Sequence, residues 1–184
     1  EKYGEVRELR APHLNHIHKL HRGQVTDDTE QILALLDAYF KHGKMSVHVA
    51  VEGLITWAEE KDVFNSTYLG PSSKRALEGL LAGCDPHTTG FMGKTIGAAM
   101  RVPAVALVHH GSDVESVVKQ AADVSLPTHG TNLAISGAAS MAVALHAAFN
   151  GSNIHSVIEA AKYGAEKGLA YGYPYPSASV AKRI

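Results

Sequence analysis

Residues 23–30 read Gly-Gln-Val-Thr-Asp-Asp-Thr-Glu, and the adjacent carboxylates of Asp27 and Asp28 are the strongest chemical signal in the chain. Side-by-side negative charges repel, so they need a positive group to face. A helix N-terminus offers a little through its unpaired N–H groups and macrodipole. A hard divalent cation offers far more, because it prefers carboxylate, hydroxyl and water oxygens. Asp27 followed by Glu30 fits a capping box, with Ile32, Leu35, Leu36, Tyr39 and Phe40 at helical spacing behind it. The two readings are compatible, since a capped turn can also present oxygens to a metal.

Three other stretches carry chemically useful residue types. Residues 90–101, Gly-Phe-Met-Gly-Lys-Thr-Ile-Gly-Ala-Ala-Met-Arg, are small enough for backbone amides to approach an anion such as phosphate. They match neither the P-loop nor the GxGxxG spacing, and a tight turn into a helix explains the glycines equally well. His13, His16, His18 and His21 crowd one segment whose imidazoles suit zinc, nickel or copper. Pro12 and the lack of a clean helical face favour a packed or solvated loop there. His129 stands in Pro-Thr-His-Gly-Thr just before an apolar run, where its worth depends on what faces it.

The elements that must position these residues are helical. The pattern predicts helices from near Asp27, over 46–60, 72–82 (Leu77, Leu80 and Leu81 inward), 113–123, 131–149 and 153–167 (Ile154, Val157, Ile158 and Ala161 inward). Connections fall at 61–71, 84–96, 124–130 and 168–179, the last a Pro/Tyr-rich ordered bend. Alternating strand patterns are missing. The expectation is all-α, a compact orthogonal multi-helix bundle forming a single domain over 1–184. Gly137, Ala138, Ala139, Ala142 and Ala144 suit close helix packing.

Composition narrows the function classes. Seventeen Lys and Arg against eighteen Asp and Glu give a net charge of −1, with no basic surplus for a phosphate backbone, so nucleic acid is not an expected partner. The apolar run from Ala134 to Phe149 is short and rich in small residues, which reads as a core helix and not a membrane span. The single cysteine, Cys84, excludes an internal disulfide and agrees with a reducing cytosol, so a cytoplasmic location is expected. The chain does not begin with Met, which suggests a piece of something longer.

Four segments in order resemble the ADP-ribosylglycohydrolase family, which includes the dinitrogenase-reductase-activating and crystallin-like glycohydrolases. Gly23 to Thr29 is similar to its "GqvTDDT" metal motif, and Leu69-Gly70-Pro71-Ser72-Ser73 with Ala76-Leu77 to its Gly-Pro-Ser turn. Gly93 to Arg101 resembles its "NGAAMR" loop, and Thr128-His129-Gly130-Thr131 with 134–142 its Thr-His helix. The resemblance implies a hydrolase with a two-magnesium centre that cleaves ADP-ribose from a modified protein side chain or a small acceptor. Carried over, Thr26, Asp27 and Asp28 are metal ligands, and Asp27 and Asp28 are catalytic. Gly93, Thr95, Gly97, Ala98 and Met100 hold the ADP-ribose, and His129 lines the ribose pocket. Ile96 stands where the family has a polar residue, usually Asn. The family's first Gly-Asp segment and its second acidic cluster lie outside this sequence, so one of two acidic ligand sets is present and weak activity is expected of this chain alone. The alternatives are a non-catalytic crystallin-like relative and a His-rich metal-binding module.

Overall fold

A computed structural model describes residues 21–109, 111–176, 180 and 184. Over these the chain forms α1 (Asp27–His42), α2 (Val47–Glu60), α3 (Pro71–Leu81), α4 (Pro103–Val108), α5 (Val114–Ser125), α6 (Asn132–Phe149) and α7 (Ile154–Gly168). Single 3₁₀ turns occupy Val63–Asn65, Thr89–Met92 and Gly97–Met100. Among the described residues no strand forms, and the one extended pairing is an isolated bridge between Thr131 and Tyr173. The fold is all-α, as the sequence pattern predicts.

Helix starts follow capping chemistry. Side-chain oxygens of Ser46, Asp113, Thr131 and Asn153 accept from backbone N–H groups three residues on, which satisfies a donor the helix cannot. Pro71 and Pro103 begin α3 and α4, where a missing N–H costs nothing. The expected capping box of Asp27 and Glu30 does not form. Thr26 is the N-cap and makes no capping bond; its hydroxyl donates instead to Asp28 Oδ2 at 3.1 Å. Gly43 closes α1 in the left-handed region (φ 67°), its N–H meeting the Tyr39 carbonyl at 2.7 Å.

The main core joins Leu35 and Ala38 of α1, Val49 and Ala50 of α2, Ala98, and buried Val and Ala residues of α4, α5 and α6. A second cluster packs Leu54, Trp57 and Ala58 of α2 against Val63, Leu77 and Leu80. Fully burying a leucine such as Leu35 or Leu77 stabilises by about 2 kcal/mol. By length and composition α6 could cross a bilayer, yet it lies against α4, α5 and α7, with Ala134, Ile135, Ala138, Ala139 and Ala142 wholly buried.

Two helix faces differ from expectation. Leu81 is exposed, because α3 ends there and the chain turns away at Gly83. On α7, Ile154 and Ile158 are exposed and the inward face is Gly164, Ala165 and Gly168. The α6–α7 contact is made by small residues in the later half of α7, so the branched residues at its start stay on the surface. The Pro/Tyr bend is pinned at Tyr173, where Asn132 N–H donates to the Tyr173 carbonyl and Tyr173 N–H to that of Gly130, both at 2.8 Å; its residues 177–179 lie outside the described residues.

A Cβ on Gly164 would meet the Ala139 carbonyl oxygen at 2.5 Å and Val143 Cβ at 3.0 Å. Neither neighbour can yield without moving α6. Gly164→Val is therefore expected to cost about 1–3 kcal/mol, the range for overpacking, read as a lower urea midpoint; an unchanged midpoint would contradict this contact.

Candidate functional site

The site grows from the first turns of α1. Asp27 and Gln31 are one turn apart and share a face; Glu30 lies beside them. Gln31 is fully buried, whereas Asp27 is half-buried at the mouth of a cleft of about 170 Å³. The cleft is lined by Asp27, by Tyr68 and Gly70, by Pro71, Ser72 and Ser73 at the start of α3, by Thr95, Gly97 and Met100, and by His129. First turns of two helices thus meet at one opening, and their N–H groups favour oxygen-rich, anionic ligands.

Behind the cleft sits Arg101, whose side chain is wholly buried. Its Nε donates to the Val124 carbonyl at 3.1 Å, one terminal nitrogen to Gln31 Oε1 at 2.7 Å, and the other to the Thr128 hydroxyl. Burial lowers its pKa to about 10, so it stays a cation at neutral pH. The Thr128 oxygen lies 2.8 Å from His129 Nδ1. His129 is itself buried, and burial together with the Arg101 charge pushes its pKa down to about 3. A chain of contacts therefore runs from α1 through a buried guanidinium to the imidazole in the cleft wall.

Glu30 anchors the opposite wall. Its carboxylate accepts from Trp57 Nε1 at 2.9 Å and from the Tyr68 hydroxyl at 3.4 Å, tying α1 to α2 and to the segment before α3. Burial and the Glu30 charge raise the Tyr68 pKa, so its phenol stays protonated.

The glycine loop is shaped by protein contacts. A Cβ on Gly93 would strike the Thr128 carbonyl oxygen at 2.2 Å, and one on Gly97 would meet His129 Nε2 at 2.6 Å. Gly97 lies flat on the histidine ring for that reason. Gly93 is buried behind the cleft, its carbonyl accepting from the Thr131 hydroxyl at 2.9 Å, and Ala98 is buried in the core. Of the expected substrate residues the structure brings Thr95, Gly97, Met100 and His129 to the cleft surface with Asp27; Gly93 and Ala98 shape it from behind. Asp28 is exposed and Thr26 half-buried, neither on the cleft wall. Ile96 is 61% exposed and lies over Gly137 of α6, outside the cleft lining.

Two carboxylates and a hydroxyl on consecutive residues suit magnesium in donor type, since that ion commonly takes one or two carboxylates and keeps several waters. Among the described residues no group of three or more His, Cys, Asp or Glu side chains is placed to hold a metal, so this turn supplies part of a shell only. His13, His16 and His18 lie outside the described residues; His21 is exposed, its backbone N–H donating to Gln24 Oε1. A larger groove of about 440 Å³ between α1 and α2 contains none of the expected site residues, and its Lys41 is paired with Glu52.

The structure defines an all-α protein with a cleft at the first turns of two helices, and sequence comparison gives its lineage. The chain belongs to the ADP-ribosylglycohydrolase family, whose sequence profile matches residues 1–182. It is 37% identical over 145 residues to an uncharacterised protein of Archaeoglobus fulgidus (78% of this chain, 45% of that one). It is 34% identical over 139 residues to the uncharacterised protein YegU of Escherichia coli (75% and 42%). It is 28% identical over 145 residues to the ADP-ribosylarginine hydrolase Tri1 of Pseudomonas putida (73% and 38%). The chain thus spans less than half the length of these curated relatives.

Glu30, Arg101, Thr128 and Tyr68 build the cleft but were not expected site residues. One sequence signal was available: an arginine ending a run of small residues and followed by Val102-Pro103-Ala104-Val105 has no water to face. The buried neutral imidazole has a measurable consequence. Its folded pKa of about 3 lies below the ordinary 6.5, so between those values the unfolded chain binds the extra proton. Stability from this group is full above pH 6.5 and falls as pH drops, approaching about 1.4 kcal/mol per pH unit. Compared between about pH 6.5 and 5, above most carboxylate titration, His129→Gln should flatten the wild-type slope. Identical slopes would contradict a buried neutral ring.

Proposed function

We propose that the protein serves in hydrolysis of the glycosidic bond joining ADP-ribose to a protein side chain or small acceptor. In this reading the cleft between α1, α3 and His129 receives ADP-ribose, and Thr26, Asp27 and Asp28 bind magnesium. The observation that carries it is the convergence of Asp27, Thr95, Gly97, Met100 and His129 from distant parts of the chain on one opening. Family membership supports the class of reaction, and the name of the Pseudomonas putida relative makes ADP-ribosylarginine the first substrate to try. The proposed setting is the cytoplasm.

The cleft's own groups suit a sugar-phosphate. A cavity of about 170 Å³ is well below the roughly 300 Å³ at which whole-ligand pockets begin, so it holds one end of ADP-ribose while the rest lies along the surface. The first turn of α3 offers backbone N–H groups to phosphate oxygens. The Tyr68 hydroxyl, held by Glu30, fixes the aromatic wall, and Asp27 orients polar hydrogens at the mouth. Magnesium, when bound, would supply Lewis acidity toward the ribose oxygens and the attacking water. A second reading is a non-catalytic crystallin-like relative that keeps the cleft and binds ADP-ribose without cleaving it.

Calorimetric titration of magnesium into wild type and Asp27→Ala tests the ligand assignment. Loss of one charged oxygen should weaken binding by at least about tenfold, given about 1.5–3 kcal/mol for interactions with charged groups; equal affinities sink it. Release of ADP-ribose from arginine-modified protein separates the two readings: magnesium-dependent release supports hydrolysis, and ADP-ribose binding without release supports the second.

A further inference from the structure

We propose that His129 presents a neutral Nε2–H donor to the cleft, fixed in that tautomer by Arg101 acting through Thr128, and that it therefore grips a ligand oxygen and does not ligate a metal. The inference deepens the ADP-ribose reading and rests on it for the ligand's identity, but the tautomer itself follows from the protein alone.

A guanidinium has donors and no acceptor. Where Arg101 meets the Thr128 hydroxyl, the threonine oxygen must accept. The hydroxyl hydrogen then needs an acceptor of its own, and His129 Nδ1 lies 2.8 Å away. The opposite assignment, with Nδ1–H donating to the hydroxyl, would leave that hydrogen without an acceptor on a residue only 1% exposed. Leaving such a donor unmet costs about 1–3 kcal/mol. Nδ1 therefore accepts, and the proton of the neutral ring sits on Nε2.

The surroundings of Nε2 agree. Gly97 covers it with no side chain, and a Cβ there would sit 2.6 Å from the nitrogen. Nε2 has no hydrogen-bond partner among the described residues, and the ring lines the cleft shared with Asp27. A carboxylate in the same cleft favours an N–H over a lone pair at that edge. Charging the ring would add a second cation beside buried Arg101, which burial also opposes. Arg101 and Thr128 are positioning residues. They make His129 a donor to a phosphate or ribose oxygen over the whole neutral range, and they leave no lone pair for a cation bound at the acidic turn.

The test is the ring ¹⁵N signature of His129 in histidine-labelled full-length chain, without ligand, at about pH 6 to 8 around the ordinary histidine pKa. The proposal expects Nδ1 in the unprotonated range and Nε2 in the protonated range, constant across the series and unmoved by magnesium. An Nδ1–H tautomer, an imidazolium, or a metal-induced loss of the Nε2 proton overturns it. Thr128→Val should blur the signature into mixed tautomers and Thr128→Ser should restore it; an unchanged signature in Thr128→Val overturns the relay, and the wild-type spectrum decides the tautomer even where the variant does not fold. Added ADP-ribose should shift the Nε2–H proton, and Thr128→Val should weaken its binding by about tenfold, the equivalent of one well-placed hydrogen bond. Binding with no Nε2–H shift overturns the donor role alone, whereas absence of binding overturns the ADP-ribose reading and leaves the tautomer assignment standing.

Discussion

A buried guanidinium whose partners, among the described residues, are all neutral is the constraint around which this molecule is arranged. Arg101 gives its hydrogens to an amide, a carbonyl and a hydroxyl from α1, α5 and the turn before α6. Removing a cation from water costs several kcal/mol even after relaxation, and neutral acceptors offset only part of that. Such a group does little for net stability. It makes alternative packings costly, because any shift of α1 or of the 124–128 segment would strand a charge. Gln31 shows how tight the accommodation is: its oxygen serves Arg101 while its buried amide nitrogen has no partner among the described residues.

Glu30, the neighbour of Gln31, secures the other side. Its bonds to Trp57 and Tyr68 carry the α1 position outward to the second hydrophobic cluster and to the aromatic wall of the cleft. Consecutive residues on one helix thus fix opposite walls, and Asp27, one turn from Gln31, is left at the mouth between them. The glycines of 93–97 complete the design by letting the loop lie against the backbone and ring at 128–129. The shape of this cleft depends on residues that do not line it, Glu30, Gln31, Arg101 and Thr128 among them.

Much of this was legible in the sequence, and what was not has physical reasons. Long helices with one apolar stripe announce themselves by period, so α1, α2 and α5 were readable, and α6 was readable as a long apolar run of small residues. Helix α4 was not expected, since Pro103 to Val108 is short and apolar on every side and carries no period. Faces of α3 and α7 were misassigned at Leu81, Ile154 and Ile158 because periodicity says which residues share a face but not how far a neighbour extends over it. The acidic turn, the glycine loop and His129 carry chemistry in their residue types and stood out. Glu30, Tyr68, Arg101 and Thr128 act through partners between 23 and 70 positions away for their long-range bonds, and spacing along the chain holds no trace of such pairs.

The central claim is that the cleft held open by Arg101 and Glu30 is where ADP-ribose binds. Backbone ¹H–¹⁵N shift mapping of the chain with magnesium and rising ADP-ribose tests it most directly. The account predicts saturable changes confined to Asp27, to 68–73 with proline excepted, to 95–100 and to His129. Changes centred on the α1–α2 groove around Leu33, Asp37 and Thr56, or none at saturating nucleotide, would contradict it.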